Sequence, residues 1–408
     1  MLNAFFSPLP SERSNPLALS DPNLAPQWQD VAAKIHASGR QIVIAVTGGG
    51  SGAISALLQT PGASRTILEA IVPYSHAALT DWIGAKPEQA CSDSAARAMA
   101  MAAFICAGKL ASESDPQTWL GVGVTASLAT DRPKRGERRV HIALQTAVRT
   151  WAGCASLQEL PSNRASDEQA ATALVLEAIA GGCGMEPPTR GKVMLAGQEV
   201  WAIDDESDLL LGVRRRLILR DGAPTNDPPI ALLFPGAFNP RHVGHLQMAE
   251  VAERRCGEPV VWELSIANVD KPPLDFISIR ERVEALKFDD ARRPIALTRA
   301  PTFREKSELF PHATFIVGVD TLIRIADPKY YAGDPSQRDA AVAEIASRGC
   351  RFLAFGRIIN GEFKVLSDLT LPPALAAICD EVPASEFRED ISSTQLRTPR
   401  PRVNPARN

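Results

Sequence analysis

The sequence predicts an α/β protein made of two α/β domains in series. Three observations carry that prediction. Apolar runs of strand length alternate with capped helical segments through both halves of the chain. In each half an apolar run passes into a glycine-containing turn and then a helix, near Ile44–Gly52 and near Ile230–Gly244. Between the halves, DGAPTNDPP (221–229) is a loop by composition and marks the main domain boundary.

The elements follow in order. Residues 1–25, rich in Pro, Ser and Asn, read as a loose arm. An amphipathic helix over about 26–40 ends at Gly39. A strand (Gln41–Val46), the turn TGGGSG and a helix (Ala53–Gln59) come next. TILEAIVPYS is strand-like, and Ala77–Ile83 is helical. SDSAARAMAMAAFICAG is an Ala-rich helix capped by Ser92 or Asp93. WLGVGVTASLAT and RRVHIALQTAV are strands, and SDEQAATALVLEAIAGG is a helix closed by Gly181–Gly182. These elements make a first domain over 26–182. Residues 183–229 read as an extension and linker with short strands in KVMLAGQEVWAI and LLLGVRRRLILR. The second domain spans 230–400. Its strands are IALLFPGAF, PVVWELSI, PIALTRA, ATFIVG and CRFLAFGR, with helices at HLQMAEVAERR and SIRERVEALKF and after ATFIVG. A basic, Pro-rich tail (401–408) closes the chain.

Composition sets limits. A net charge of −3 implies no general affinity for nucleic acid or anionic membrane, so phosphate binding must come from local clusters. No apolar run reaches the roughly 18 residues of a membrane span. Seven scattered cysteines without a CxxC pair read as reduced, mostly buried thiols of a cytoplasmic protein.

The segment FPGAFNPRHVGHLQMAE carries the strongest signal. It contains Gly236, Phe238, Pro240, His242, Gly244 and His245 between a buried strand and a helix. Two imidazoles three positions apart share one side of a first helical turn. That turn offers free N–H groups and the positive end of the helix dipole to phosphate oxygens. The imidazoles can donate hydrogen bonds to charge that develops in phosphoryl transfer. Far downstream, EDISSTQLR places Ser392, Ser393 and Thr394 at another helix start, with Arg397 one turn later, able to reach the same anion.

These two motifs resemble the HxGH/ISSTxxR nucleotidylyltransferase superfamily, and most of all the nicotinate/nicotinamide mononucleotide adenylyltransferases. The resemblance covers roughly Ile230 to Arg400. It implies a Rossmann-like parallel-sheet nucleotidylyltransferase fold. Lys271, where the family has a lysine after a proline-rich loop, Arg280 in the following helix, Gly318 and Asp320 in a G-x-D segment, and Arg357 fall in family order. The resemblance implies that a mononucleotide phosphate attacks the α-phosphate of ATP and pyrophosphate leaves. His242, His245 and Arg397 would be catalytic. Gly236, Phe238, Gly244, Lys271, Gly318, Asp320, Ser392, Ser393 and Thr394 would bind nucleotide. Mg²⁺ would arrive with ATP and bridge phosphates, with no protein metal cage. Two departures stand out. The stacking Trp after G-x-D is absent, with Tyr330 and Tyr331 as substitutes, and the proline pair follows Lys271 instead of preceding it.

Three readings compete for TGGGSG (Thr47–Gly52). A dehydrogenase cofactor loop fails at Ile54, where a glycine is needed for close packing, and at Ala78, where its catalytic lysine is missing four places after Tyr74. The second reading uses more of the chain. PGAS (Pro61–Ser64), Tyr74–Ser75 and the Ala/Met helix resemble the CinA C-terminal family over about residues 28–182. Active members of that family are nicotinamide-mononucleotide deamidases. The resemblance puts Thr47 where the family has its nucleophilic serine, with Ser51 as a substitute, and Tyr74 at its Y-S pair. Leu79 stands in place of the family's lysine, and the later glycine loop becomes TASLAT (125–130). A hydroxyl nucleophile needs a base or a cation to activate it, and Leu supplies neither. The third reading therefore leads: a glycine turn kept for packing, in a degenerate domain that binds or assembles, a homo-oligomer being compatible with it.

The expected whole is an adenylyltransferase acting on ATP and a small phosphorylated acceptor, fused to an inactive deamidase-like domain. The alternatives are a nucleotide-binding sensor without turnover, or an N-terminal half still active as an amidohydrolase.

Overall fold

The computed structural model describes residues 24–131, 136–186, 193–225, 229–267, 272–288 and 290–389. The chain divides into two compact units. The first runs to Glu199; the second takes the chain from Val200 onward together with residues 147–150.

The first unit opens with α1 (Leu24–Ala37), then β1 (Gln41–Thr47), α2 (Gly52–Gln59), β2 (Ile67–Ile71) and α3 (His76–Trp82). It continues with α4 (Asp93–Leu110), β3 (Trp119–Ser127), β4 (Arg139–Gln145), β5 (Arg149–Ser156), α5 (Arg164–Gly182) and β6 (Ala196–Trp201). The strands form a six-stranded sheet in the order β2-β1-β3-β4-β5-β6. β1 is parallel to β2 and β3, and its last residue, Thr47, pairs with Thr125. β1 is buried from its second residue on, as expected for a strand covered on both faces. Ile42, Ile44 and Val46 pack with Val122, Val124, Leu174, Val175 and Ile179 on one side of the sheet. Ser92 caps α4 by accepting from the Ala95 N–H at 3.2 Å, and Asn163 caps α5 through Ser166 N–H at 2.8 Å.

The second unit begins with α6 (Asp204–Leu211), β7 (Arg216–Arg220) and β8 (Ala223–Pro224). The apolar run Leu209–Leu211, which reads as strand in the sequence, instead ends a helix. Asp204, Asp205 and Glu206 favour its first turn, and Gly212 closes it with a left-handed φ of 80°. β9 (Leu232–Pro235), α7 (Val243–Cys256), β10 (Val260–Ser265), α8 (Phe276–Phe288), β11 (Ile295–Thr298), α9 (Phe303–Leu309), β12 (Thr314–Gly318) and α10 (Val319–Ala326) follow. α11 (Pro335–Ser347), β13 (Arg351–Phe355), β14 (Arg357–Ile359), β15 (Glu362–Lys364), α12 (Pro373–Ala376) and β16 (Cys379–Val382) complete it. The sheet order is β16-β13-β12-β9-β10-β11-β7-β8. From β16 to β11 all neighbours are parallel; β7 and β8 add an antiparallel edge. The parallel strands thus run outward from β9 in one direction through β10 and β11, and in the other through β12, β13 and β16. That is the doubly wound Rossmann-like arrangement. The order reverses between β9 and β12, and in such sheets ligands bind outside the carboxyl ends of the strands at that point.

The extension expected over 183–229 is shared out: β6 joins the first sheet, β7 and β8 the second. None of the seven cysteines is bridged; Cys350 is buried and Cys256 exposed, the rest being intermediate. Among the described residues no helix is long and apolar enough to cross a membrane.

Candidate nucleotide site

The topology brings three segments to one place. Gly236–His245 leaves β9, Gly318–Asp320 leaves β12, and Arg357 follows β13. The turn after β9 is built on an aromatic base. Phe238, at φ 46°, lies in the left-handed region that a bulky residue seldom adopts, and its ring is 2% exposed. It sits edge-on to Phe234 at 5.7 Å, to Trp262 at 5.1 Å and to His245 at 5.3 Å between ring centroids. A side chain at Gly236 would run into the Phe238 ring. Packing therefore fixes the His245 ring from below.

His242 is the N-cap of α7. Its backbone N–H donates to His245 Nδ1 at 3.2 Å, and the two rings lie 3.8 Å apart at 30°. Because Nδ1 accepts, the neutral His245 ring carries its proton on Nε2, as a donor. Burial, then His242, Arg357 and Arg241, push His245 down to about 3. Burial also lowers His242, with Arg357 acting in the same direction and Glu389 against it. Both imidazoles are therefore neutral near pH 7. His242 Nδ1 is buried with no hydrogen-bond partner among the described residues.

Arg357 brings the positive charge. Its Nη2 contacts Met248 Sδ at 3.1 Å and its Nε lies 4.0 Å from Asp320 Oδ1. Burial lowers its pKa, with Asp320 and Glu389 opposing that. Gly318 makes this approach possible, since a Cβ there would meet both the Asp320 carboxylate and the Arg357 side chain. Gly244 is buried, and Glu389 Cγ lies 2.9 Å from where its Cβ would be. These strand ends thus join two neutral imidazole donors, a helix N-terminus and a part-buried guanidinium. That set suits phosphate oxygens, especially oxygens gaining charge.

A protein-family model described as cytidylyltransferase-like matches residues 233–399. A protein of Gloeobacter violaceus named "Probable nicotinate-nucleotide adenylyltransferase" is 33% identical over 180 residues, spanning 40% of this chain and 81% of its own length. The chain belongs to the cytidylyltransferase-like nucleotidyltransferases. A Schizosaccharomyces pombe protein named "Putative nicotinamide mononucleotide adenylyltransferase" is 29% identical over 192 residues, 44% of this chain and 74% of its own. Solved structures cover the N-terminal part. They include a competence/damage-inducible protein of Agrobacterium tumefaciens (20% identity, 38% of this chain, 94% of that one, TM-score 0.32). An Enterobacter cloacae CinA superfamily protein gives 14% identity, 44% of this chain, 98% of that one and TM-score 0.32.

Within this nucleotidyltransferase unit, Gly236, Phe238, His242, Gly244, His245, Gly318 and Asp320 come to the carboxyl ends of β9 and β12. Lys271, Ser392, Ser393, Thr394 and Arg397 lie outside the described residues. Arg280 pairs instead with Glu206 at 3.5 Å. Tyr330 is 45% exposed, with Lys329 Nζ 4.9 Å and Arg324 Cζ 5.5 Å from its ring centre. Glu389, beside Gly244, had no signal in the sequence beyond preceding the ISST motif.

The TGGGSG loop of the first unit is built differently. Gly48 and Gly50 take φ values of 81° and 89°, and a Cβ at Gly48 would collide with the Ala126 carbonyl. Two of the loop amides are already taken. Glu168 of α5 accepts from Gly50 N–H at 3.0 Å, Ser51 Oγ at 2.9 Å and Gly52 N–H at 3.3 Å. Arg164 Nη2 donates to Gly48 O at 3.0 Å. Next to Glu168, the buried Asp167 pairs with Arg138 at 2.7 Å and accepts from Ala129 N–H at 2.7 Å, pinning the TASLAT stretch. Thr47 is buried at the end of β1. Tyr74 is 65% exposed, and Ser75 caps α3 through Ala78 N–H at 3.1 Å.

Proposed function

We propose that the second unit transfers the adenylyl group of ATP to a pyridine mononucleotide, nicotinate or nicotinamide mononucleotide, releasing pyrophosphate. The observation that carries this reading is the neutral His242–His245 pair and Arg357, set at the switch point of a doubly wound sheet. The acceptor phosphate oxygen forms a bond to the α-phosphorus while the bond to the bridging oxygen breaks, and pyrophosphate leaves with the electron pair. The protein need not form a covalent intermediate. It holds the phosphates in line and stabilises the charge that develops. His245 donates from Nε2, His242 stands beside it, and Arg357 balances the negative charge. Lys271, Ser392, Ser393, Thr394 and Arg397 are proposed as further phosphate contacts, and Tyr330 as a face for the pyridine ring.

Magnesium prefers oxygen ligands and keeps several waters. The residues at these strand ends are mainly nitrogen donors, with two carboxylates, Asp320 by Arg357 and Glu389 beside Gly244. They fit an ion that enters on the triphosphate and neutralises charge there.

For the first unit we propose a deamidase-like domain without hydrolase activity. Support comes from Glu168, whose carboxylate fills the anion-accepting positions of the loop. Leu79, in place of a lysine, is 2% exposed and packs with Ala45, Ile83 and Met99.

The test is an acceptor panel. The full chain is incubated with ATP, Mg²⁺ and mononucleotides or other phosphorylated acceptors, and pyrophosphate is measured. Release with a pyridine mononucleotide supports the reading. ATP binding by calorimetry without release from any acceptor would replace it with a sensor.

A further inference from the structure

A buried acid–base pair lies beneath the phosphate turn and takes no part in the chemistry described above. Glu263, in β10, is 1% exposed, and Lys306, in α9, is 5% exposed. Lys306 Nζ donates to Glu263 Oε1 at 2.6 Å and to the Ala300 carbonyl at 2.8 Å. The hydroxyl of Thr298, the last residue of β11, donates to the same Oε1. Glu263 Oε2 is buried with no partner among the described residues. Such a cluster is a costly way to fill a core. A buried ion pair seldom gains over apolar residues of equal volume, and an unmatched carboxylate oxygen adds a penalty.

Its place suggests what the cluster does. Glu263 pairs in register with Pro235, the last residue of β9. Proline has no N–H to give the ladder. The next donor is Gly236 N–H, the first amide of the phosphate turn, and it bonds to Glu263 O at 3.0 Å. On the neighbouring residue, Trp262 presents its ring to Phe238, which supports His245. One strand end therefore holds the turn through its backbone, supports it through Trp262, and is itself tied to β11 and α9 through the Glu263 carboxylate.

We infer that Glu263 and Lys306 are positioning residues, which fix the end of β10 so that Gly236–His245 is held ready for phosphate. The inference rests on reading that turn as the phosphate site. Its test needs a readout that mere loss of stability would not move. Glu263→Gln or Lys306→Met alone leaves a buried charge uncompensated and lowers the melting temperature of the full chain. The double change Glu263→Leu with Lys306→Met removes both charges and is expected to recover it. In that double variant, amide exchange at Gly236 should be at least tenfold faster than in the unaltered chain. KM for ATP should rise and kcat fall, together at least tenfold in kcat/KM, with amide exchange elsewhere in β10 and β12 unchanged. Recovered melting with native exchange at Gly236 and native kcat/KM would overturn the inference. Gly236 exchange is read without turnover. A chain that releases no pyrophosphate would therefore count against the proposed reaction, while the exchange result still decides the positioning role.

Discussion

The chain contains two strand–glycine turn–helix junctions, and they meet opposite fates. At Thr47–Gly52 the Gly50 and Gly52 amides and the Ser51 hydroxyl close on Glu168, a carboxylate of the same chain. At Gly236–His245 the turn faces neutral imidazoles and Arg357, and the partner its charge calls for is an anion from outside. The motif alone is the same physics in both places: a strand end, left-handed or crowded backbone, and a helix dipole. What differs among the described residues is that a carboxylate of the same chain accepts from the amides of the first turn. A glycine turn thus signals capacity for an anion, and the surrounding side chains decide whether the capacity is still available.

The largest effect should come from the open turn. His242→Ala and His245→Ala should each lower kcat for pyrophosphate release by about 10²-fold or more, as loss of a preorganised donor to developing charge does. Ser51→Ala, at the closed turn, should leave that rate unchanged. Equal losses at the two turns would dissolve the contrast. Steady-state kinetics on purified full chain with ATP and the best acceptor separates the outcomes.

Next comes the closure itself. Glu168→Ala leaves two loop amides and a hydroxyl without their acceptor. The part-buried site should lose about 1–3 kcal/mol of stability. Hydrogen exchange should report that loss in α2 and the loop, with β9 to β12 unaffected. Added inorganic phosphate that restored protection in this variant would show that the turn keeps its anion affinity once the plug is removed. No restoration would show that Glu168 has become the only partner the loop fits.

The difference between the turns also sets how much could be read in advance. The open site is local: HxGH lies within ten residues of Gly236, and Gly318 and Asp320 enter only through the G-x-D segment of the family resemblance, since strand order is not written in the strand pattern. The closed site is not local. Glu168 meets the loop across more than a hundred residues, and nothing in SDEQ distinguishes a plug from an ordinary helical glutamate. The Glu263–Lys306 pair is equally hidden, joining separate elements, and Glu263 sits in a run, VVWELS, that reads as a plain buried strand. The helix at Asp204–Leu211 is legible but outweighed: its acidic first turn and Gly212 are there, and three consecutive leucines suggest a strand.

Acid and alkali should act on the two units with opposite sign. His245 titrates near 3 in the fold and near 6.5 unfolded. The stability it represents is present above pH 6.5 and is lost as pH falls toward 3, by at most about 1.4 kcal/mol for each step of one pH. Glu177 of α5 is raised by burial from 4.5 to about 7. Its contribution is full below pH 4.5 and is lost as pH rises through 7. His245→Gln should flatten the acid limb of the second unit, and Glu177→Gln should stabilise the first unit above pH 7. Unit-resolved hydrogen exchange between pH 4 and 8 measures both. A first unit that loses no stability between pH 5 and 8 would mean Glu177 is hydrated in solution.

The smallest effect tests the closed turn at its chemical centre. Thr47→Ser turns the secondary hydroxyl already at the end of β1 into the primary one that the deamidase resemblance expects, removing only a methyl group. A serine hydroxyl is a weak nucleophile unless a base or nearby cation lowers its pKa. Leu79, where the lysine would stand, is packed into the core against Met99 and Ile83, and the Gly50 and Gly52 amides already hold Glu168. Ammonia release from nicotinamide mononucleotide should therefore stay at the blank rate in both the parent and the Thr47→Ser chain. Release above blank in the serine variant would mean that the Thr47 methyl group was what held its hydroxyl out of the reaction, and that Glu168 yields to substrate. Release above blank in the parent that vanishes in Thr47→Ala would show that the first unit is an enzyme as it stands.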